Sequence, residues 1–124
     1  MTIGSQLKSA LSGNSGITNL VSARIYPVQL PQTPTYEAIT YLRVSNSGQN
    51  GTSTRRESRW QIDCWAQTYA EAHVLARAVK TALEEYHDGS GIEYARVVNE
   101  LDDYDPDVDA YRTIVDVMLV TTGD

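Results

Sequence analysis

Residues 59–73, R-W-Q-I-D-C-W-A-Q-T-Y-A-E-A-H, hold both tryptophans, the only cysteine and one of the two histidines. A cysteine thiolate beside a histidine base would make a nucleophile for acyl transfer. That chemistry needs the two side chains to meet and a third group to orient the histidine. Cys64, however, alternates with Trp60, Ile62 and Ala66, the spacing of one strand face. A thiol on such a face is a packed and inert core group. His73 follows Ala72 at the edge of a helical apolar stripe and reads as a boundary residue. The spacing favours a strand running into a helix over a catalytic pair.

Asp103, Asp105, Asp107 and Asp109 raise a second possibility, a calcium loop. An EF-hand loop starting at Asp103 would need glycine at position 108 and glutamate at 114. The chain has Val108 and Ile114, and a start at Asp105 meets Ala110 and Asp116 instead. A solvated Asp-Pro turn is the expectation, with cation binding by Asp102–Asp109 left open. Glycine-rich phosphate loops, paired metal-ligand motifs and nucleophile elbows do not occur. No catalytic residue, cofactor or metal ligand is therefore assigned.

The elements that would position these residues follow from periodicity. Ile3, Leu7, Ala10 and Leu11 predict a helix over 3–12 that stops at Gly13. Ile17, Leu20 and Val21 predict one or two further turns. Pro27 confines A-R-I-Y-P-V to an edge or a strand end, and Pro31 and Pro34 stiffen the connector after it. Residues 36–45 alternate as a strand, with Ile39 and Tyr41 on one face and Ala38 and Thr40 on the other. Residues 45–56 lack apolar side chains and predict a mobile hairpin loop. The next strand carries Trp60, Ile62 and Cys64 on one face, and Arg59, Gln61, Asp63 and Trp65 on the other. Thr68 and Glu71 form a capping box for a helix whose apolar face runs Ala72, Leu75, Ala76, Val79, Leu83, Tyr86. His87, Asp88 and Gly89 are expected to end it. Two strands follow, I-E-Y-A-R-V-V-N-E-L and A-Y-R-T-I-V-D-V-M-L-V-T-T, joined by the aspartate-rich turn. The fold expected is α+β: a mainly antiparallel sheet of four to five strands, with an N-terminal helix and one long central helix packed on it.

A length of 124 residues suits a single domain, 1–124. No apolar run approaches a membrane span and no leader pattern opens the chain, which argues against membrane spanning and secretion. One cysteine forms no internal disulfide, in keeping with assembly in a reducing cytoplasm. The net charge of −6 argues against a dedicated nucleic-acid binder. That charge is uneven. Residues 1–83 carry eight Lys/Arg against four acids, whereas residues 84–124 carry two against twelve. Solvated loops would explain this, and so would a molecule with opposite poles suited to head-to-tail association.

Two features point to surfaces needing a partner. Trp65 lies opposite the Trp60 face and must find cover under the 31–34 connector or against a neighbour. The last strand is apolar on both sides: Thr113, Val115, Val117 and Leu119 on one, Ile114, Met118 and Val120 on the other. Such a strand needs cover on both faces. Trp65, Arg55, Arg56, Arg59, Ile114, Met118 and Val120 are the candidate interface. The 46–56 loop, with Arg55 and Arg56 at its base, is expected to order on assembly.

Several strings resemble a known family. L-K-S-A-L followed by G-I-T-N-L-V-S-A-R-I-Y-P-V-Q-L-P-Q-T-P-T-Y, then Q-I-D-C-W-A leading into A-H-V-L-A-R-A-V-K-T-A-L, and Y-D-P-D-V-D-A-Y-R-T-I-V-D-V-M-L at the end, are similar to the tail completion (tail terminator) proteins of siphophages. Thr35-Tyr36 stands where that family commonly has Pro-Tyr. The resemblance implies a small α+β virion protein that closes the head-proximal end of the tail tube as a hexameric ring. It implies contact with the tail tube protein and with a head connector or neck protein, an end to tube polymerisation, and no catalytic residues. A head-completion or neck protein, a monomeric binding module and a small enzyme using Cys64 or the aspartates remain the other readings.

Overall fold

The computed structural model describes residues 2–48, 55–89 and 91–122. Three helices, α1 (Ile3–Ser12), α2 (Ser15–Val21) and α3 (Tyr69–Leu83), pack on one side of a five-stranded sheet. The strands are β1 (Ile25–Pro27), β2 (Ala38–Gly48), β3 (Arg55–Ala66), β4 (Ile92–Asp105) and β5 (Ala110–Thr122), in the order β1-β2-β3-β5-β4. Only the short β1 pairs in parallel; the other pairings are antiparallel. This is the α+β architecture expected, and the sheet is mixed because the connector over 28–37 carries the chain back so that β2 starts level with β1.

Local chemistry sets the helix starts. Thr2 Oγ1 accepts from Ser5 N–H at 3.2 Å, Asn14 Oδ1 from Ile17 N–H at 3.3 Å, and Thr68 Oγ1 from Glu71 N–H at 3.2 Å. Each cap satisfies a first-turn donor that has no partner within the helix. Glu71 reaches back to the Thr68 hydroxyl at 2.9 Å. The expected face of α3 is buried through Ala72, Leu75, Ala76, Val79 and Leu83. The helix ends at Leu83, earlier than His87, because Glu85 turns to φ 60° and donates its N–H to Ala95 O at 2.9 Å. That bond ties the chain to β4, and Tyr86 packs against the core from outside the helix.

The core lies between helices and sheet. Leu7, Leu11, Ile17, Ile39, Ile62, Leu75, Val79, Val115, Val117 and Leu119 are fully buried there. Each such side chain contributes about 1.5–3 kcal/mol relative to exposure. Cys64 belongs to this cluster, as its strand spacing predicts.

Three strands run past their expected ends. β2 continues to Gly48 and β3 starts at Arg55, so Asn46 pairs with Ser58 and Gly48 with Arg56. A ladder is built by backbone groups, and polar side chains do not stop it. The centre of the expected 45–56 loop, 49–54, lies outside the described residues. β4 continues to Asp105 because its acids find partners across the ladder, with Asp103 opposite Arg112. The turn is then only four residues long. Asp109 closes it at φ 50°, and Asp105 Oδ1 accepts from Asp107 N–H at 2.9 Å. Aspartate tolerates both arrangements.

Candidate functional site

Alternation along β5 divides the sheet into two faces. Thr113, Val115, Val117 and Leu119 face the helices and are fully buried. Arg112, Ile114, Asp116, Met118 and Val120 face the other way and are half-buried. The β3–β5 register sets Trp65 opposite Arg112, Asp63 opposite Ile114, Gln61 opposite Asp116 and Arg59 opposite Met118. The β4–β5 register adds Leu101 beside Ile114 and Tyr94 beside Val120. This second face has a covered end and an open end.

At the covered end Trp65 is only 6% exposed. The cleft around it is lined by Val28–Gln32 of the connector together with Asp63, Val108 and Arg112. The Arg112 guanidinium stacks 5.0 Å from the Trp65 ring. Trp65 therefore takes its cover from its own chain. Beside it a polar network runs along the same end of the sheet. Gln61 Nε2 donates to Asp63 Oδ1 at 2.8 Å, and Arg112 Nη1 lies 3.4 Å from Asp63 Oδ2. Arg112 Nη2 also donates to Asp103. Burial pushes the Asp63 carboxyl above its ordinary range, and the bonds from Gln61, Arg112 and Thr40 only partly oppose this.

At the open end Ile114, Met118 and Val120 are half-buried, while Tyr94 and Leu101 are 41% and 52% exposed. Arg59 crosses this surface to Asp116 at 3.4 Å, and Arg55 reaches Glu93 at 3.5 Å. Both pairs are solvated, so each contributes at most about 1 kcal/mol. Arg59, Ile114, Met118 and Val120 are thus brought together by the ladder. Arg55 borders them at the sheet end, and Arg56, opposite Thr121, points to the helix side. Tyr94 and Leu101 were missed by sequence reading, because β4 bulges between Ile92 and Tyr94 and between Val97 and Asn99. A bulge shifts the alternation that assigns a residue to a face.

The Cys-His idea separates into two environments. Cys64 is fully buried, and burial raises its thiol pKa well above the ordinary value. His73 is half-buried at the surface of α3, with Nε2 2.9 Å from Asp102 Oδ1. The same carboxylate accepts from Tyr69 Oη at 2.7 Å, and these bonds hold it below the usual carboxylate range. Tyr104 Oη donates to Asp109. Among the described residues no group of three or more His, Cys, Asp or Glu side chains is arranged to hold a metal ion, nor is any helix long and apolar enough to cross a membrane.

Charge follows the strand order. The acidic segment 84–124 builds β4 and β5 at one lateral side of the sheet. The basic segment 1–83 builds the other side and the helices.

These features define a small α+β protein with one sheet, helices on one face and a second face only partly covered. The chain belongs to the family described as "Tail completion protein gp17", which matches residues 5–122. It is a structural protein of phage tails. No curated protein matches it. Among solved structures it is similar to a chain of "Virion of native gene transfer agent (GTA) particle", with a TM-score of 0.65 and 16% identity over 94% of this chain and 92% of that one. At that identity the likeness is one of fold.

Proposed function

We propose that the protein caps the head-proximal end of a tail tube as a hexameric ring of its own copies, ends tube polymerisation and presents the surface that joins the head connector. The observation that carries this reading is the open end of the second sheet face. Ile114, Met118 and Val120 stay half-exposed there after the chain has placed its three helices on the opposite side. Exposed apolar sheet surface of this kind favours association. The lateral separation of acidic and basic segments favours contacts between unlike edges, which a ring repeats. Arg55 and Arg59 border the open surface and supply a polar rim for the tube or the connector, Arg56 adds a charge on the helix side of the same sheet end, and Trp65 holds the sheet beneath the connector segment.

The test is removal of the gene from an intact phage, with electron microscopy of the particles. Overlong tails without heads support termination. Tails of normal length beside filled, tailless heads would instead assign the protein to the neck, the second reading. Purified protein mixed with tail tubes should decorate one tube end only.

A further inference from the structure

On the helix side of the sheet, beyond the start of α3, lies an exposed shelf of three tyrosines. Tyr69, Tyr104 and Tyr111 are 52%, 44% and 37% exposed. Their rings stand against one another, with centroids 6.3 Å apart for Tyr69–Tyr111 and 5.1 Å for Tyr104–Tyr111. The hydroxyls of Tyr69 and Tyr104 are held by Asp102 and Asp109. The rings are therefore pre-oriented and lose little freedom when something binds. Ring faces bordered by carboxylates favour a lysine or arginine side chain.

The opposite lateral side of the sheet carries the complement. β1 pairs with β2 only at Ile39–Tyr41. Next to it a groove of about 490 Å³ runs between the start of α1 and β2, lined by Gly4, Lys8, Val28, Tyr41, Arg43 and Trp60. Lys8 and Arg43 are exposed on its rim, and neither enters an ion pair among the described residues. Arg43 already lies over the Trp60 ring at 5.9 Å. The volume admits an aromatic side chain, and the rim charge is opposite to that of the shelf.

We propose that neighbouring copies join head to tail, the tyrosine shelf of one seating on the Lys8–Arg43 groove of the next. One chain carries both halves of the contact, on opposite sides of a single sheet. A heterologous contact so placed is the kind that closes rings. Tyr and Arg are also enriched at protein interfaces. The inference rests on the ring reading above and specifies its subunit contact.

Two experiments test it on the full chain. In the first, R43C and Y104C are combined in one chain, and mild oxidation should give a ladder of covalent oligomers. The native Cys64 is buried and does not compete. In the second, K8E/R43E and D102K/Y111K are each expected to self-associate roughly tenfold more weakly by sedimentation. Mixed in equal amounts they should recover association, because each groove then meets a shelf of opposite charge. Unchanged melting curves confirm that the variants fold. If the wild type forms oligomers but shows no ladder and no response to charge reversal, the contact lies elsewhere and the ring reading survives. If the wild type stays monomeric with and without tubes and no ladder forms, both fall.

Discussion

The indole Nε1 of Trp65 donates to Thr40 Oγ1 at 3.0 Å, and that hydroxyl lies 3.3 Å from Asp63 Oδ2. The three residues come from two neighbouring strands and are each no more than 6% exposed. A buried polar chain of this kind locks β2 to β3 on the face that has no helix, because every member would cost free energy if left unpaired. It also shows how the chain seals one end of that face with polar bonds and a connector while leaving the other end open.

Trp65→Ala removes a buried aromatic body and frees the Thr40 hydroxyl. The expected loss of folding stability is about 3–5 kcal/mol, measured by urea unfolding. Trp65→Phe keeps the packing of the ring but not its N–H and should lose about 1 kcal/mol. If both variants unfold like the wild type and only association suffers, Trp65 belongs to a subunit contact instead.

Met118→Glu tests the open end of the same face. Met118 is half-buried beside Arg59, and a carboxylate there stays solvated in the free chain. Stability should change by no more than about 0.5 kcal/mol. Binding to other copies or to tube ends should fall roughly tenfold or more. Undiminished tube-end binding would remove this surface from the interface.

Asp63 makes the pH dependence of stability informative. Its carboxyl titrates above the ordinary value of 3.8 chiefly because of burial. A raised carboxyl pKa means that the folded state holds the proton more tightly than the unfolded chain. Its contribution to stability is therefore greatest below the unfolded pKa and declines as pH rises through the folded pKa. Asp63→Asn cannot ionise. The stability of this variant relative to the wild type should be higher at pH 7 than at pH 3. Asp102, held below the usual range by Tyr69, acts in the opposite direction in both proteins and cancels from the comparison. A stability difference that is flat across this range would contradict the burial cost assigned to Asp63.

Cys64 should resist alkylation in the native protein and react at the rate of a free thiol once denaturant unfolds it. Its complete burial and raised pKa both withhold the thiolate. Rapid native labelling would reopen the nucleophile reading.

Particular residues show where sequence reading succeeds. The alternation Trp60, Ile62, Cys64 and the helical spacing Leu75, Ala76, Val79, Leu83 each locate a core face, since periodicity is a direct imprint of backbone geometry. Both faces of β5 were legible for the same reason. Ring contacts among Tyr69, Tyr104 and Tyr111 were not, for these residues lie in three elements that only the turn at 106–109 and the start of α3 bring side by side. Arg112 carried a faint signal as one of two cations among twelve acids in the last third of the chain. Its partners Asp63 and Asp103 could not be named before the register was known.

By itself, then, the amino-acid order determined the α+β class, the capping box that starts α3, the two-faced last strand and the tail completion resemblance, all of which depend on neighbours a few positions apart. Tertiary structure decided how far β2, β3 and β4 extend, that the connector shields Trp65 while Met118 stays open, and which acids Arg112 binds. Those outcomes turn on strand register and bulges. Pairings between distant segments leave no periodic trace in the chain, and a single extra residue sends a side chain to the other face.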